Sequence, residues 1–276
     1  MLRIAAAYEL AGGIIEVPYS AAMAGALADP NGILKLYGTV NGTNQLLIDE
    51  IAFATIGTDD RCLYLQVNET VSYRVRPLWK GRPMPGQSVA LTLSQYTYTA
   101  ADVPNQLVNK QLVPLTAAED YVVSLPANGT YVTDAQGCVT FSVRGLKPGA
   151  VMIRYQPSGE TFDPNPPGCL PPYGYFGFVS YNAFRVLPDD NFDAVPDAQI
   201  TWDFVYQNVI RYFYLIYPAM FLHLPFQNEA TAQQNAAMIS QMVAKDSWNT
   251  TTYMPVSRDL SDGKRKLLQR WCALNE

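Results

Sequence analysis

The strongest constraint on the fold is an alternation. Tyr73, Val75 and Pro77 interleave with Arg74 and Arg76, and Val139, Phe141 and Val143 interleave with Thr140, Ser142 and Arg144. A strand projects successive side chains to opposite faces, so a period of two describes strands buried on one side. The pattern is punctuated by NGTN after GILKLYGTV, by TDD before CLYLQV and by GRPMPG before QSVALTL. Glycine, proline and aspartate at these points divide the chain into short strands. From Gly32 to about Tyr155 this predicts a mainly β fold, an antiparallel β-sandwich whose two sheets bury their inner faces against each other.

Composition narrows the function. Charged residues are only 16% of the chain and the net charge is −5, so no basic face offers counterion release and nucleic acid is not expected as a partner. No run reaches the roughly 20 apolar residues of a membrane span. In the opening MLRIAAAYELAGGIIEVPYS, Glu9, Gly12, Gly13 and Glu16 interrupt what a signal-peptide core would need. Cys62, Cys138, Cys169 and Cys272 lie far apart and show none of the paired spacings of a metal or redox site. Their spacing fits two disulfides or four thiols equally. Asn-x-Thr patterns at Asn41, Asn68, Asn128 and Asn249 read as chance in a chain rich in both residues.

The strand units carry a resemblance. VSYRVRPLWKGRPMPGQSVALTL and TDAQGCVTFSVRGLKPGAVMIRY resemble the strand, Gly-x-Pro-x-x-Gly, strand unit and the closing hairpin of bacterial immunoglobulin-like domains of the invasin and intimin type, over about Cys62 to Tyr155. The second stretch is also similar to transthyretin-like carboxypeptidase regulatory domains. The immunoglobulin-like resemblance implies an extracellular or periplasmic setting.

After Gln156 six prolines in PSGETFDPNPPGCLPPYGYFGF preclude a continuous helix or central strand, leaving a linker or wrapping loop. Asp189, Asp190, Asp193 and Asp197 then cluster without the spacing of a calcium loop, and read as an acidic turn capping the helical segment beyond it. From Ile200 the period becomes helical. Val205, Val209, Phe213 and Ile216 share a face, with Trp202, Tyr206, Tyr212 and Tyr217 widening it and Pro218 ending the helix. A second helix follows over NEATAQQNAAMISQMVAKDS, burying Ala236, Ile239, Met242 and Val243. A third, LSDGKRKLLQRWC, is capped by Ser261 or Asp259 and buries Leu267, Leu268, Trp271 and Cys272.

This C-terminal order, with Met254-Pro255 ahead of a capped last helix, resembles a class I cytochrome c domain. The resemblance implies Met254 as an axial ligand, yet Tyr214, Tyr217 and Pro218 stand where Cys-x-x-Cys-His is required, so the expectation is a haem-less unit with no cofactor. His223, the single histidine, reads as structural. The expected organisation is a β-rich segment over 1–60, able to pair with the sandwich or a neighbouring subunit, then the immunoglobulin-like sandwich over 61–157. A linker over 158–198 and a three-helix cytochrome-like domain over 199–276 complete it.

Catalysis finds no local motif. One histidine serves no evident nucleophile, and neither a Gly-x-Ser-x-Gly elbow nor a phosphate loop is present. Aromatic residues at 12% favour contact surfaces. The sequence therefore predicts a non-catalytic structural or protein-interaction protein, self-assembling or part of a surface assembly. Its partner would be itself or another protein, with Tyr173, Tyr175, Phe176, Phe178, Tyr181 and Phe184 as interface residues. Two alternatives stand beside it: an accessory subunit of a redox enzyme system, and a carbohydrate-binding module.

Overall fold

The computed structural model describes residues 20–29, 32, 35–49, 54–98, 112–160, 180–223 and 225–275. The chain divides into two compact units, Met1–Ala52 and Phe53–Glu276.

In the first unit, helix α1 (Ala21–Ala28) precedes a hairpin of β1 (Lys35–Val40) and β2 (Thr43–Asp49). Asn41 and Gly42 both have positive φ, 50° and 78°, the turn whose twist matches two antiparallel strands. The helix is an element that the β-rich reading of 1–60 did not include. A run of alanines favours helix wherever no strand partner claims it.

The second unit holds the sandwich. One sheet contains β3 (Thr55–Thr58), β5 (Thr70–Trp79), β6 (Arg82–Pro83) and β10 (Val139–Arg144), in the order β10-β5-β3 with β6 beside β5. The other contains β4 (Cys62–Gln66), β7 (Ser88–Tyr98), β8 (Leu112–Leu115), β9 (Gly129–Val132), β11 (Gly149–Pro157) and β12 (Tyr181–Leu187). Its order is β4-β12-β11-β7-β8, with β9 also beside β7.

The alternation becomes register. Val75 stands opposite Val139 and Tyr73 opposite Phe141, all buried, while Arg74 opposite Thr140 and Ser72 opposite Ser142 face out. From the other sheet Leu91, Leu93, Val151, Ile153, Tyr155, Phe184 and Val186 meet them in one shared core. Tyr73 lies 5.2 Å from Phe184 and 6.4 Å from Tyr155 between ring centres, and Phe141 stacks on Tyr155 at 5.6 Å. The buried amide of Gln95 on β7 is satisfied locally: it donates to Val123 O at 2.5 Å and accepts from Val122 N at 3.3 Å.

The sandwich is not wholly antiparallel. β4 runs parallel to β12, with Cys62 opposite Ala183 and Leu65 opposite Val186, which corrects the sequence expectation. Nothing in the period of an individual strand records the direction of its neighbour.

The C-terminal helices form a second core. α2 (Trp202–Val205) continues through a π turn (Tyr206–Ile210) into α3 (Arg211–Ile216), followed by α4 (Pro218–His223), α5 (Glu229–Gln234), α6 (Ala236–Met242) and α7 (Asp262–Ala273). Trp202 and Trp271 meet at 4.5 Å at its centre, with Val205, Ile239, Leu267 and Leu268 around them. This is not the three-helix cytochrome-like unit: the first helix contains a π turn, and the second divides at Asn235 into α5 and α6. The π turn inserts one residue and rotates the helical turns beyond it, so Ile216 is 42% exposed instead of joining Val205 and Val209. A Met-Pro turn before a capped helix is local punctuation that any helical fold can use.

Ser261 caps α7, accepting from Lys264 N at 3.4 Å and donating to Asp190 Oδ2 at 2.5 Å. Asp197 accepts from Arg270 at 2.5 Å, and the same guanidinium reaches Phe192 O and Val195 O. The acidic turn thus ties the end of the sandwich to the last helix, its charges set against the basic side chains of α7.

Candidate functional site

A cleft of about 240 Å³ with a mixed polar and aromatic lining lies where the sandwich meets the helical core. β4 contributes Tyr64 and Gln66, the turn after it Glu69, α7 Asp262 and Arg265, and the loop before α7 Trp248, Tyr253 and Leu260, with Lys245 and Asn249 at the edge. These residues are scattered in sequence because two separate cores have to dock before they meet.

The cleft is built by backbone and side-chain bonds that fix each wall. Gln66 N donates to Glu69 Oε2 at 2.8 Å, and Gln66 Oε1 accepts from Asp262 N at 3.2 Å, so β4 reaches directly to the start of α7. Arg258, in a left-handed conformation at φ 55°, holds the loop closed by donating to Trp248 O, Val256 O and Thr250 O. Met254 N donates to Met242 O at 3.0 Å and anchors the loop to α6.

Three aromatic rings run along the cleft. Tyr64 and Trp248 are 6.0 Å apart, Trp248 and Tyr253 4.9 Å, both edge to face, and the Arg258 guanidinium lies 5.9 Å from the Tyr253 ring. Tyr253 is 1% exposed and its hydroxyl has no hydrogen-bond partner among the described residues. Burial pushes its pKa up, against the opposing pull of Arg265 and Arg258, so at neutral pH it is a phenol with a proton to donate.

The charges are unevenly committed. Arg265 donates to Asp262 and, at 3.0 Å, to Gln269; Lys266 lies 3.1 Å from the same Asp262. Burial raises the Asp262 carboxyl, but the hydrogen bonds from Arg265 and Lys266 outweigh it and the net displacement is downward. Lys245, exposed at the mouth, forms no ion pair among the described residues. The cleft therefore combines aromatic side chains, the Lys245 ammonium, the Glu69 and Asp262 carboxylates and a buried hydroxyl without a partner among the described residues.

Of the residues expected to form an interface, the two that are described, Tyr181 and Phe184, do not line this cleft. Tyr173, Tyr175, Phe176 and Phe178 lie outside the described residues. Tyr181 is half-buried with the Arg61 guanidinium 5.8 Å from its ring. Phe184 is 1% exposed and belongs to the sandwich core, so its ring is not presented at a surface. Sequence reasoning passed over Tyr64, Trp248, Lys245 and Arg265. Trp248 and Tyr253 in a polar loop were the available signal, since large aromatics between helices need something to pack on.

No protein-family model matches the chain. Over 277 aligned positions it is 24% identical to dichlorochromopyrrolate synthase of Lentzea aerocolonigenes, taking in 93% of this chain and 26% of that protein. Over 91 residues it is 31% identical to 2-imino-3-(indol-3-yl)propanoate dimerase of Chromobacterium violaceum, 32% of this chain and 9% of that protein. The chain spans about a quarter of the first relative's length and less than a tenth of the second's. Among solved structures, WR4, a C. elegans MSP family member, covers 48% of this chain at 12% identity with a TM-score of 0.24. A chain from a structure of T cell activation by the bacterial superantigen toxic shock syndrome toxin-1 covers 49% at 9% identity with a TM-score of 0.23. The chain's curated relatives are biosynthetic enzymes, and this overturns the expectation of a non-catalytic structural protein. Part of the aromatic abundance behind that expectation lies inside the sandwich, in Tyr73, Phe141, Tyr155 and Phe184.

Proposed function

We propose that the chain is a substrate-binding portion of a biosynthetic enzyme acting on aromatic acids, and that the junction cleft seats an indole-type carboxylate. Its relatives are named for a dichlorochromopyrrolate and for an imino acid bearing an indole, and the chain's weak similarity to both motivates the choice of ligand class. The observation that carries the reading is the buried Tyr253 hydroxyl, without a partner among the described residues, beside Trp248 in a cleft that the exposed Lys245 also lines. A buried donor without a partner costs stability, and a carboxylate seated in the cleft supplies the missing acceptor once a small outward shift of the Tyr253 loop uncovers the hydroxyl, which is closed to solvent in this structure.

In this reading the ring lies against Tyr64 and Trp248, the acid group takes the Tyr253 proton as a hydrogen bond and faces Lys245, and Glu69 offers an acceptor to the ring N–H. Arg265 positions Asp262, and through it the Gln66 contact that joins β4 to α7.

Calorimetric titration with indole-3-pyruvate, with indole as the acid-free control, tests the assignment. The acid is expected to bind about tenfold tighter than indole, a difference of about 1.4 kcal/mol, and Tyr253→Phe and Lys245→Ala are each expected to erase most of that advantage. Equal binding of acid and indole, or variants that bind as the parent does, would overturn it.

A further inference from the structure

The helical core contains a second recess, of about 120 Å³, with a different chemistry. Its floor is buried: Val209, Ile210, Ile239, Val243, Leu260 and Leu268. Its rim is aromatic and half-buried, made by Phe213, Tyr217, Phe221 and Phe226. The two methionines of the wall, Met242 and Met254, place polarisable sulfurs beside it. We propose that this recess is a binding site for a small uncharged aromatic ring, separate from the junction cleft and independent of its assignment.

Three observations define the ligand. Size comes first: an apolar cavity of about 150 Å³ in another protein stays dry and takes up benzene, and a recess of about 120 Å³ is close to that size, room for about one small ring. Polarity comes second. Among the described lining residues only Tyr217 carries a side-chain N or O atom, and no charged side chain is present, so a carboxylate or ammonium would enter without a partner. Shape comes third. Phe221 already meets Tyr214 at 86° and Phe226 at 87°, an edge-to-face arrangement that a further ring can extend.

The backbone explains why a recess exists here. An unbroken α-helix would carry one stripe past α6, whereas the π turn brings the successive residues Val209 and Ile210 to the floor and leaves Phe213 and Tyr217 at the rim. Single π turns inside helices are frequently found at functional sites. Leu260 lines both the recess and the junction cleft, so it is the wall between an apolar seat and a polar one.

Benzene titrated into the intact, methyl-labelled chain tests the proposal by NMR, with benzoate as the charged counterpart. Saturable nuclear Overhauser contacts from benzene to the methyls of Val209, Val243 and Leu268 are expected, with benzoate at least about tenfold weaker. Val243→Phe is expected to abolish these contacts, and Lys245→Ala to leave them intact. Absence of saturable contacts in the parent chain overturns the proposal, whatever the variant's stability. So does benzoate binding at the same methyls as well as benzene does. Loss of benzene contacts in Lys245→Ala would overturn the separation of the two sites, while loss of indole-3-pyruvate binding alone bears only on the junction cleft.

Discussion

The backbone carbonyl of Asp190 lies against the Cα of Gly263, so close that a Cβ at that position would overlap the carbonyl oxygen and carbon. The contact seats the first turn of α7 on the segment leaving the sandwich. Gly263→Ala is expected to destabilise the protein by about 2–3 kcal/mol, because the obstructing atoms are backbone and cannot rotate aside. Urea unfolding measures it; an unchanged midpoint would show that the two segments are free to separate.

Ser261 caps the same helix and holds Asp190 in one gesture. Ser261→Ala removes the cap acceptor and the hydroxyl donated to the carboxylate, for an expected loss of about 1–2 kcal/mol. Ser261→Asp keeps a capping oxygen but sets two carboxylates together, so it is expected to recover little. A full recovery in Ser261→Asp would mean that the Asp190 contact contributes nothing.

Burial raises the pKa of Tyr73, Tyr155 and Tyr253 above the ordinary tyrosine value, with the neighbouring Tyr73 reinforcing the effect on Tyr155. Each phenol therefore ionises earlier in the unfolded chain than in the folded one. The corresponding stability is complete below about pH 10 and drains away as pH rises beyond it. Denaturant midpoints taken between about pH 8 and about pH 11 should fall, and Tyr155→Phe should fall less steeply. Identical slopes for parent and variant would remove Tyr155 from the account.

The apolar recess offers room for added carbon. Val243→Ile places one more methylene at its floor and is expected to stabilise by about 1 kcal/mol, the value of one buried CH₂. Were the recess already filled by its neighbours, the same change would overpack the core and lower the thermal midpoint instead.

The local features were legible and the meetings between them were not. Val139, Phe141 and Val143 announced a one-sided strand, Asn41-Gly42 a hairpin turn, and Ser261 a helix cap, and each stands where its chemistry required. The parallel pairing of β4 with β12 had no such signal, since alternation fixes a strand's faces and not its neighbour's direction. The π turn was equally silent, because Val205, Val209 and Phe213 fit a regular helix until the extra residue is counted. The junction cleft joins Tyr64 and Tyr253 from opposite ends of the second unit, and no spacing rule connects them. The reading of Met254-Pro255 as a vestige of haem chemistry failed for the opposite reason: a short local pattern was asked to identify a whole domain.

The pairing of β4 with β12 also bears on how the chain is made. Among the described strands, β4 finds its neighbour in the larger sheet in the last residues of the sandwich to be synthesised. A nascent chain halted before Tyr181 would carry β4 unpaired and the edge of β11 bare, a template on which another unfinished chain could add its own strand. The acidic segment and the helices follow that strand in the chain, so the junction cleft cannot form until they too have been made.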